Sequence, residues 1–231
     1  MGAKVNLDPI QTMVGTTGLA PIIIPTGVLL ATPLSGAVER DADKFYLTQL
    51  QASAAGRGFV SAKQMVIASG NSGAATTSSA VSPFAASNDV LSSIEPAKLY
   101  RFRGRYKFTS TFTSGTATVN LVFTFGQAPV TFNYDFNCYP LTPNAVVLAN
   151  SRVGTIIVTT ASQVTPAIGA TISYVVEFEG FFQSHATVAG SLTPQFQMST
   201  TGSSTIATQF SFFEIEKIGA TADTLIAGNW A

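Results

Sequence analysis

The sequence predicts an all-β protein built as an antiparallel sandwich, and three observations support this fold class. Apolar and polar side chains alternate with period two in several stretches between residues 81 and 219. β-branched and aromatic residues are frequent, with 17 Phe in the chain. Turn residues separate the stretches at intervals of about eight to fifteen residues, as in sandwich proteins.

Composition divides the chain into segments. Residues 1–27 place Gly, Pro and Thr between short apolar pieces without a sustained period, which predicts an extended N-terminal arm that gains order against another surface. Residues 68–82, ASGNSGAATTSSAVS, consist almost entirely of small residues, as in a flexible linker. We therefore expect an arm (1–27), a small β region (28–67), a linker (68–82), a β-sandwich (83–219) and a C-terminal tail (220–231).

Within the small β region, short β-type runs cover 28–31, 36–40 and 44–48. Turn signals at 33–36 and 41–43 separate them. The alternative is a helix over DKFYLTQLQASAA, since Tyr46, Leu47, Leu50 and Ala54 would then share one face. We favour strand and loop.

The strands of the sandwich follow in order, each with one apolar face. The residues predicted to point inward are Tyr100, Phe102, Tyr106, Phe108 and Phe112, then Val119, Leu121, Phe123 and Phe125, then Ile172, Tyr174, Val176, Phe178 and Phe182. The segments GSLTPQFQMST and TQFSFFEIEKIG complete the set. Helix is nearly absent from this pattern.

Charge is scarce and balanced. Charged residues make up 10 % of the chain, against about 25 % in an average soluble protein, and the formal net charge is zero. A protein built to hold a polyanion usually has a basic excess, so nucleic acid is not expected as a partner. Low charge together with a mean hydropathy of +0.32 predicts that much of the surface faces other protein, although an aggregation-prone monomer has the same composition.

One stretch, LYRFRGRYKFTSTF, concentrates the positive charge. Arg101, Arg103, Arg105 and Lys107 occupy alternate positions, so on a strand they form one row. Such a row could follow a phosphate backbone or simply face water. However, two pairs of carboxylates, Glu177/Glu179 and Glu214/Glu216, have the same spacing on other strands, and cross-strand pairs of opposite charge stabilise a sheet. We favour a paired ladder, within a subunit or between subunits.

Two single residues could carry chemistry. Cys138 is the chain's only cysteine, which excludes an intrachain disulfide and a cysteine-based zinc site. Its apolar neighbours in FNYDFNCYP favour a buried thiol over a nucleophile. His185, the only histidine, has no second histidine for a zinc pair, and we expect a hydrogen-bonded loop residue rather than a member of a catalytic triad.

The remaining candidates are carboxylates and one tryptophan. Asp41 and Asp43 lie in a predicted turn, where Asp is favoured for backbone hydrogen bonding, and the glutamate pairs belong to the ladder. Trp230 could anchor a tail in a neighbouring groove or stack on a sugar. The chain has no phosphate-binding loop, EF-hand loop or dinucleotide fingerprint. We therefore expect no enzyme activity, no catalytic, cofactor-binding or metal-binding residues, and no cofactor.

No apolar run reaches the roughly 18 residues of a membrane span, because prolines interrupt GLAPIIIPTGVLLATPLSGA. The opening MGAKVNLDP is a poor start for a signal peptide. We expect synthesis in the cytoplasm and no membrane partner.

Two stretches resemble structural proteins of tailed bacteriophages and prophages. LLATPLSGAVERDADKFYLTQLQASAAGRGFV is similar to a recurrent unit of these proteins, although Arg40 precedes the Asp. AKLYRFRGRYKF, GTATVNLVFTF and VEFEGFFQSHATVAGSLTPQFQMSTTGSSTIATQFSFFEIEKIG resemble their β-rich head domain. The likeness covers residues 28–60 and about 88–219, with neither heptads nor β-helical repeats for a shaft.

The resemblance implies an all-β, antiparallel jelly-roll sandwich of the tumour-necrosis-factor-like type with an extended N-terminal arm, associated as a homotrimer. It further implies a virion component, assembled in the host cytoplasm. The compact head favours a capsid decoration or cement protein bound to the major capsid protein through its arm. The alternative is the receptor-binding head of a short tail or head fibre that recognises host glycans.

Overall fold

The computed structural model describes residues 26–28, 36–40, 45–48, 57–60, 63–76, 79–84, 90–111, 113, 119–141, 149–154, 171–199 and 203–220. The described residues form thirteen β-strands: Val38–Arg40 (β1), Phe45–Thr48 (β2), Arg57–Val60 (β3), Lys63–Ile67 (β4), Leu91–Ile94 (β5), Lys98–Thr111 (β6), Val119–Phe125 (β7), Thr131–Pro140 (β8), Ala149–Gly154 (β9), Thr171–Gln183 (β10), Gly190–Met198 (β11), Ser204–Ala207 (β12) and Phe212–Ala220 (β13). No helix occurs in these ranges, and every strand pairing is antiparallel.

The chain divides into two compact units, one from residues 1–60 with 226–231 and one from residues 61–225. In the first unit, β1, β2 and β3 form a three-stranded sheet in that order. Residues 45–48 are therefore strand, as favoured, and not part of the alternative helix. The prediction for 28–31 and the arm over 1–27 lie almost entirely outside the described residues.

The second unit contains a seven-stranded sheet with the order β4-β13-β6-β10-β8-β9, while β12 pairs with the far end of β6. Strands β6 and β10 are long and central, with Lys98–Thr111 and Thr171–Gln183 in unbroken register. Apart from β8 and β9, which follow one another in the chain, neighbours in this sheet are distant in sequence. The central strands consequently depend on long-range pairing.

A second sheet of three strands, ordered β5-β11-β7, covers the inner face of the first. Phe123 of this sheet contacts Phe102 of β6, with ring centroids 5.4 Å apart, and Phe178 of β10 at 5.6 Å. The core is one continuous cluster that joins the two sheets. The predicted antiparallel sandwich is confirmed. The predicted inward-facing residues that are described are buried, except Ile172, which is partly buried, and Phe112 lies outside the described residues.

Two inner-face glycines allow the aromatic rings to approach the backbone. A Cβ on Gly180 would overlap the carbonyl oxygen of Asn133, and one on Gly104 would overlap the ring of Phe178. Both glycines lie in the central strands, where a side chain would otherwise be favoured. They make room for the ring packing between the sheets.

The described part of segment 68–82 differs from the predicted linker. Ala68 and Ala75 are buried in the core, and the N–H of Ala75 donates to the carbonyl oxygen of Thr205 at 2.8 Å. Val81 exchanges two backbone hydrogen bonds with Phe196, at 2.8 and 2.9 Å. Small side chains allow this segment to lie close against the sandwich. A run of small residues can therefore indicate close packing as well as a flexible linker. The division between units falls after residue 60, and β4 belongs to the seven-stranded sheet and not to the small β region.

Candidate functional site

The basic row of β6 lies on the outer face of the seven-stranded sheet. Arg103 and Arg105 are exposed and Arg101 is half-buried, while Phe102, Gly104 and Tyr106 between them are buried. The period of two in the sequence produces this separation, because successive side chains on a strand point to opposite faces. The cations are therefore held in a line above an aromatic core.

Strand β10 supplies carboxylates on one side of this row. The register places Glu177 opposite Arg105 and Glu179 opposite Arg103. Arg105 Nε lies 3.2 Å from Glu177 Oε1. Arg101 donates twice to Glu179 Oε1, from Nη2 at 2.7 Å and from Nε at 3.1 Å. Glu179 thus binds the diagonal arginine, leaving Arg103 for the opposite side.

Strand β13 supplies the carboxylate on that opposite side. Arg103 donates to Glu214 in a two-pronged arrangement, Nε to Oε1 and Nη2 to Oε2, both at 3.1 Å. Lys63 of β4 also donates to Glu214 Oε1 at 3.2 Å and lies 3.9 Å from Glu216 Oε2. Ion pairs thus connect four neighbouring strands. We call this set the charge ladder: Lys63, Arg101, Arg103, Arg105, Glu177, Glu179, Glu214 and Glu216.

The predicted paired ladder is confirmed within a single chain, with two differences. Lys107 was expected to belong to it, but it lies opposite Val175 and takes part in none of these ion pairs. Lys63 was not anticipated, because nothing in its local sequence indicates that β4 pairs with β13.

The ladder changes the proton affinity of its most buried member. The two hydrogen bonds from Arg103 hold the pKa of Glu214 below its ordinary value, with Lys63 adding to the effect and burial opposing it. The same contact raises the pKa of Arg103. Both groups are charged at neutral pH.

An open groove of about 370 Å³ runs along the ladder on the outer face. It is lined by Arg103, Gly104, Arg105, Asp135, Asn137, Glu177, Phe178, Glu179 and Phe212. Arginine donors of β6 and carboxylate acceptors of β10 and β8 line it together, and the half-buried ring of Phe212 also lines it. Asp135, Asn137 and Phe212 were not singled out from sequence, because only strand pairing places them beside the ladder. This groove is the candidate site of the described residues.

The two single candidate residues lie elsewhere. Cys138 is buried on the inner face of β8, and burial raises the pKa of its thiol to about 12. The N–H groups of Thr187 and Val188 donate to Nδ1 of His185 at 3.2 and 3.1 Å. A buried thiol and a hydrogen-bonded loop histidine are what the sequence predicted.

Asp41, Asp43 and Trp230 lie outside the described residues, as does the tail over 221–231. Within the part of the chain that is described, no group of three or more His, Cys, Asp or Glu is arranged to hold a metal ion. None of the described segments is a helix long and apolar enough to cross a membrane.

No family model and no curated protein matches the sequence. Three solved structures align with most of the chain at low similarity. The structure of infectious bursal disease virus, Gx strain, is 9 % identical, with 87 % of this chain and 50 % of that chain covered and a TM-score of 0.21. The VP2 subviral particle of infectious bursal disease virus is 10 % identical, with 86 % of this chain and 54 % of that chain covered and a TM-score of 0.21. The structure of the Gt strain is 9 % identical, with 90 % of this chain and 55 % of that chain covered and a TM-score of 0.19. The chain spans about half the length of each. Similarity at this level supports no conclusion about function.

Proposed function

We propose that this chain is a structural protein of a tailed-bacteriophage virion, a capsid decoration or cement protein that acts as a homotrimer. The observation that carries the proposal is the charge ladder. The glutamates of β10 and β13, which sequence spacing offered as carboxylate pairs, bind arginines and a lysine of the same sheet, and these contacts stabilise the sandwich.

Two further features support this role. The chain is poor in charge, and large apolar side chains are exposed on the described surface, among them Met65, Ile67 and Phe210. A surface of this kind fits contact with other protein. The resemblance of residues 28–60 and about 88–219 to phage structural proteins points in the same direction, and the proposal includes no enzyme activity.

The test is cosedimentation with empty capsids of the same virus. The full chain is expected to bind the capsid, and deletion of residues 1–27 is expected to abolish binding while the near-ultraviolet circular dichroism of the sandwich is retained. Deletion of residues 221–231 is the control for removal of a terminal segment. Full occupancy of the capsid by the protein lacking residues 1–27 would overturn attachment through the arm.

The groove favours a second candidate function, a receptor-binding head that recognises host glycans. Sugar hydroxyls both donate and accept hydrogen bonds, so they match a wall on which the donor Arg105, the acceptor Glu177 and the amide of Asn137 lie on adjacent strands. Phe212 offers an apolar surface beside them. If this function is correct, Asn137→Ala lowers binding to host cells, whereas deletion of residues 1–27 leaves it unchanged.

A further inference from the structure

Strand β4 forms one edge of the seven-stranded sheet, and its outward side is not paired with any described strand. It pairs with β13 on its inner side through the register Ile67 opposite Phe212, Met65 opposite Glu214 and Lys63 opposite Glu216. Such an edge presents backbone donors and acceptors that can pair with another chain.

The hydrogen bonds beside β4 show which residues present these groups. The N–H of Ala68 donates to the carbonyl oxygen of Ser211 at 2.8 Å, so the backbone N–H and C=O groups of Ala68 point towards β13. The N–H and C=O groups of successive residues point to opposite sides of a strand, so those of Val66 and Gln64 also point towards β13. The N–H and C=O groups of Lys63, Met65 and Ile67 therefore point away from the sheet.

The side chains along this edge are apolar and accessible. Met65 is 53 % exposed and Ile67 is 55 % exposed. Phe210, in the turn before β13, donates its N–H to the carbonyl oxygen of Ala68 at 2.9 Å. It is 63 % exposed and has a φ of +67°, a conformation that costs free energy for a bulky side chain. Natural sheets usually protect an edge with unpaired charge or with proline. Here the only charged residue of β4, Lys63, is held by Glu214 and Glu216 of the same chain.

We propose that β4 pairs with β4 of a second copy of this chain, antiparallel about a two-fold axis at Met65. In this register Met65 lies opposite its own counterpart, and Lys63 lies opposite Ile67. Every residue with outward backbone groups then meets another such residue, and the methylene groups of Lys63 cover Ile67. Because the charge of Lys63 is neutralised within each copy, the two edges meet without like-charge repulsion.

A charged partner such as a nucleic acid or an acidic peptide fits this edge poorly, since the edge offers no free charge. A second copy supplies an uncharged strand of matching length and spacing, as an isologous contact requires. Five residues on each side bury far less than the roughly 1,200 Å² of a stable complex, so a single contact is weak. This last step rests on the proposed function: each homotrimer on a capsid carries three β4 edges, and their three weak contacts together hold more strongly than one.

The test uses charge at Met65, because this residue meets itself only in the proposed register. Wild-type protein is expected to associate reversibly in sedimentation velocity. The species present at the lowest concentration is expected to form pairs as the protein concentration rises. Met65→Lys alone and Met65→Glu alone each place like charges opposite one another and weaken association by about tenfold or more. A mixture of Met65→Lys with Met65→Glu restores it, and high salt reduces the restored association.

Two controls separate pairing from folding and from surface charge. Val188→Lys adds a charge at an apolar residue of comparable exposure on a loop, and it is expected to associate like the wild type. The thermal unfolding midpoint of each Met65 variant confirms that the sandwich is intact.

The inference would be overturned if both Met65 variants associated as strongly as the wild type. It would also be overturned if the mixture of the two variants failed to associate. A wild-type trimer of constant mass at all concentrations would also overturn it while leaving the capsid role untouched. Loss of capsid binding by a protein that still pairs would instead overturn the proposed function alone.

Discussion

At the scale of single residues, two glutamates of the charge ladder show how burial sets the value of an ion pair. Glu214 and Glu179 each accept two hydrogen bonds from one arginine. The side chain of Glu214 is 6 % exposed, whereas that of Glu179 is 50 % exposed. Both arginines are about half exposed, so water screens the two pairs from the arginine side, but only the carboxylate of Glu179 is also open to water. The two residues therefore form a matched comparison.

Glu214→Gln is expected to lower the free energy of unfolding by about 1.5–3 kcal/mol, because it weakens charge-assisted hydrogen bonds to both Arg103 and Lys63. Glu179→Gln is expected to cost less than about 1 kcal/mol. Urea unfolding followed by circular dichroism measures both. Equal losses in the two variants would contradict the role assigned to burial.

The same residue predicts a pH dependence. The pKa of Glu214 is lowered on folding from its ordinary value of 4.5, so its ionised form stabilises the folded state. This contribution is fully present above pH 4.5 and is lost as the pH falls through the lowered pKa of the folded state. The difference in unfolding free energy between wild type and Glu214→Gln should therefore be largest near neutral pH and shrink under acid. A difference that stays constant from pH 7 to pH 3 would exclude this linkage.

Two buried tyrosines provide a second comparison. The hydroxyl of Tyr174 lies 2.9 Å from Ser110 Oγ, which donates to Thr205 Oγ1, whereas the buried hydroxyl of Tyr106 has no hydrogen-bond partner among the described residues. Burial raises the pKa of both phenols. Tyr174→Phe is expected to destabilise the fold by about 1 kcal/mol, and Tyr106→Phe is expected to be neutral or stabilising. Thermal unfolding of the two variants tests this, and a larger loss for Tyr106→Phe would show that its hydroxyl is satisfied.

At the scale of elements, strands and connecting segments differ in how well sequence reveals them. The long strands β6 and β10 could be predicted because their alternation is local and repeats over many residues. The segment over 68–82 could not, since its small residues are compatible both with a flexible linker and with close packing on a sheet. Only the partner, Thr205 in β12 or Phe196 in β11, distinguishes the two.

Hydrogen exchange tests the packing of this segment. The N–H groups of Ser72, Ala75 and Val81 each donate to a backbone carbonyl of the sandwich at 2.8 Å. We expect these three amides to be protected well above the level of an unstructured chain. The exposed residue Gly70 serves as an internal reference within the same segment. Exchange of all four at the free rate would restore the linker interpretation.

At the scale of the whole molecule, the second unit is held by one aromatic core. Phe102 contacts rings from both sheets, including Phe123, Phe132 and Phe213 at centroid distances of 5.4, 5.4 and 6.0 Å. Because the rings interlock across the sandwich, neither sheet is expected to unfold without the other. The unit should therefore unfold in one cooperative step.

Cys138 reports on this step. Its thiol is fully buried and its pKa is raised to about 12, so a thiol reagent at neutral pH should not react with the folded protein. Labelling in increasing urea is expected to follow the same transition as near-ultraviolet circular dichroism. Labelling that precedes the spectroscopic transition would show that β8 opens before the rest of the sandwich.

The groove and the β4 edge mark the limit of prediction from sequence. The sequence indicated the ladder, because equal spacing of Arg101, Arg103 and Arg105 and of two glutamate pairs requires no knowledge of strand order. It did not indicate that Asn137 and Phe212 line a groove beside it, or that Lys63 joins it. Those positions depend on which strand lies next to which.

By itself the sequence determined the all-β class, the inner face of each long strand and the opposite charges that pair across them, because all three follow from a period of two along the chain. Only the tertiary structure decided the order of the strands, the packing of the small-residue segment, the arginine that each glutamate binds and the edge left to β4. The physical reason is that side-chain alternation is a local property of a strand, whereas the neighbour of a strand is selected by contacts between residues far apart in sequence. Arg103 and Glu214, separated by 111 positions and joined by two hydrogen bonds, are one such contact.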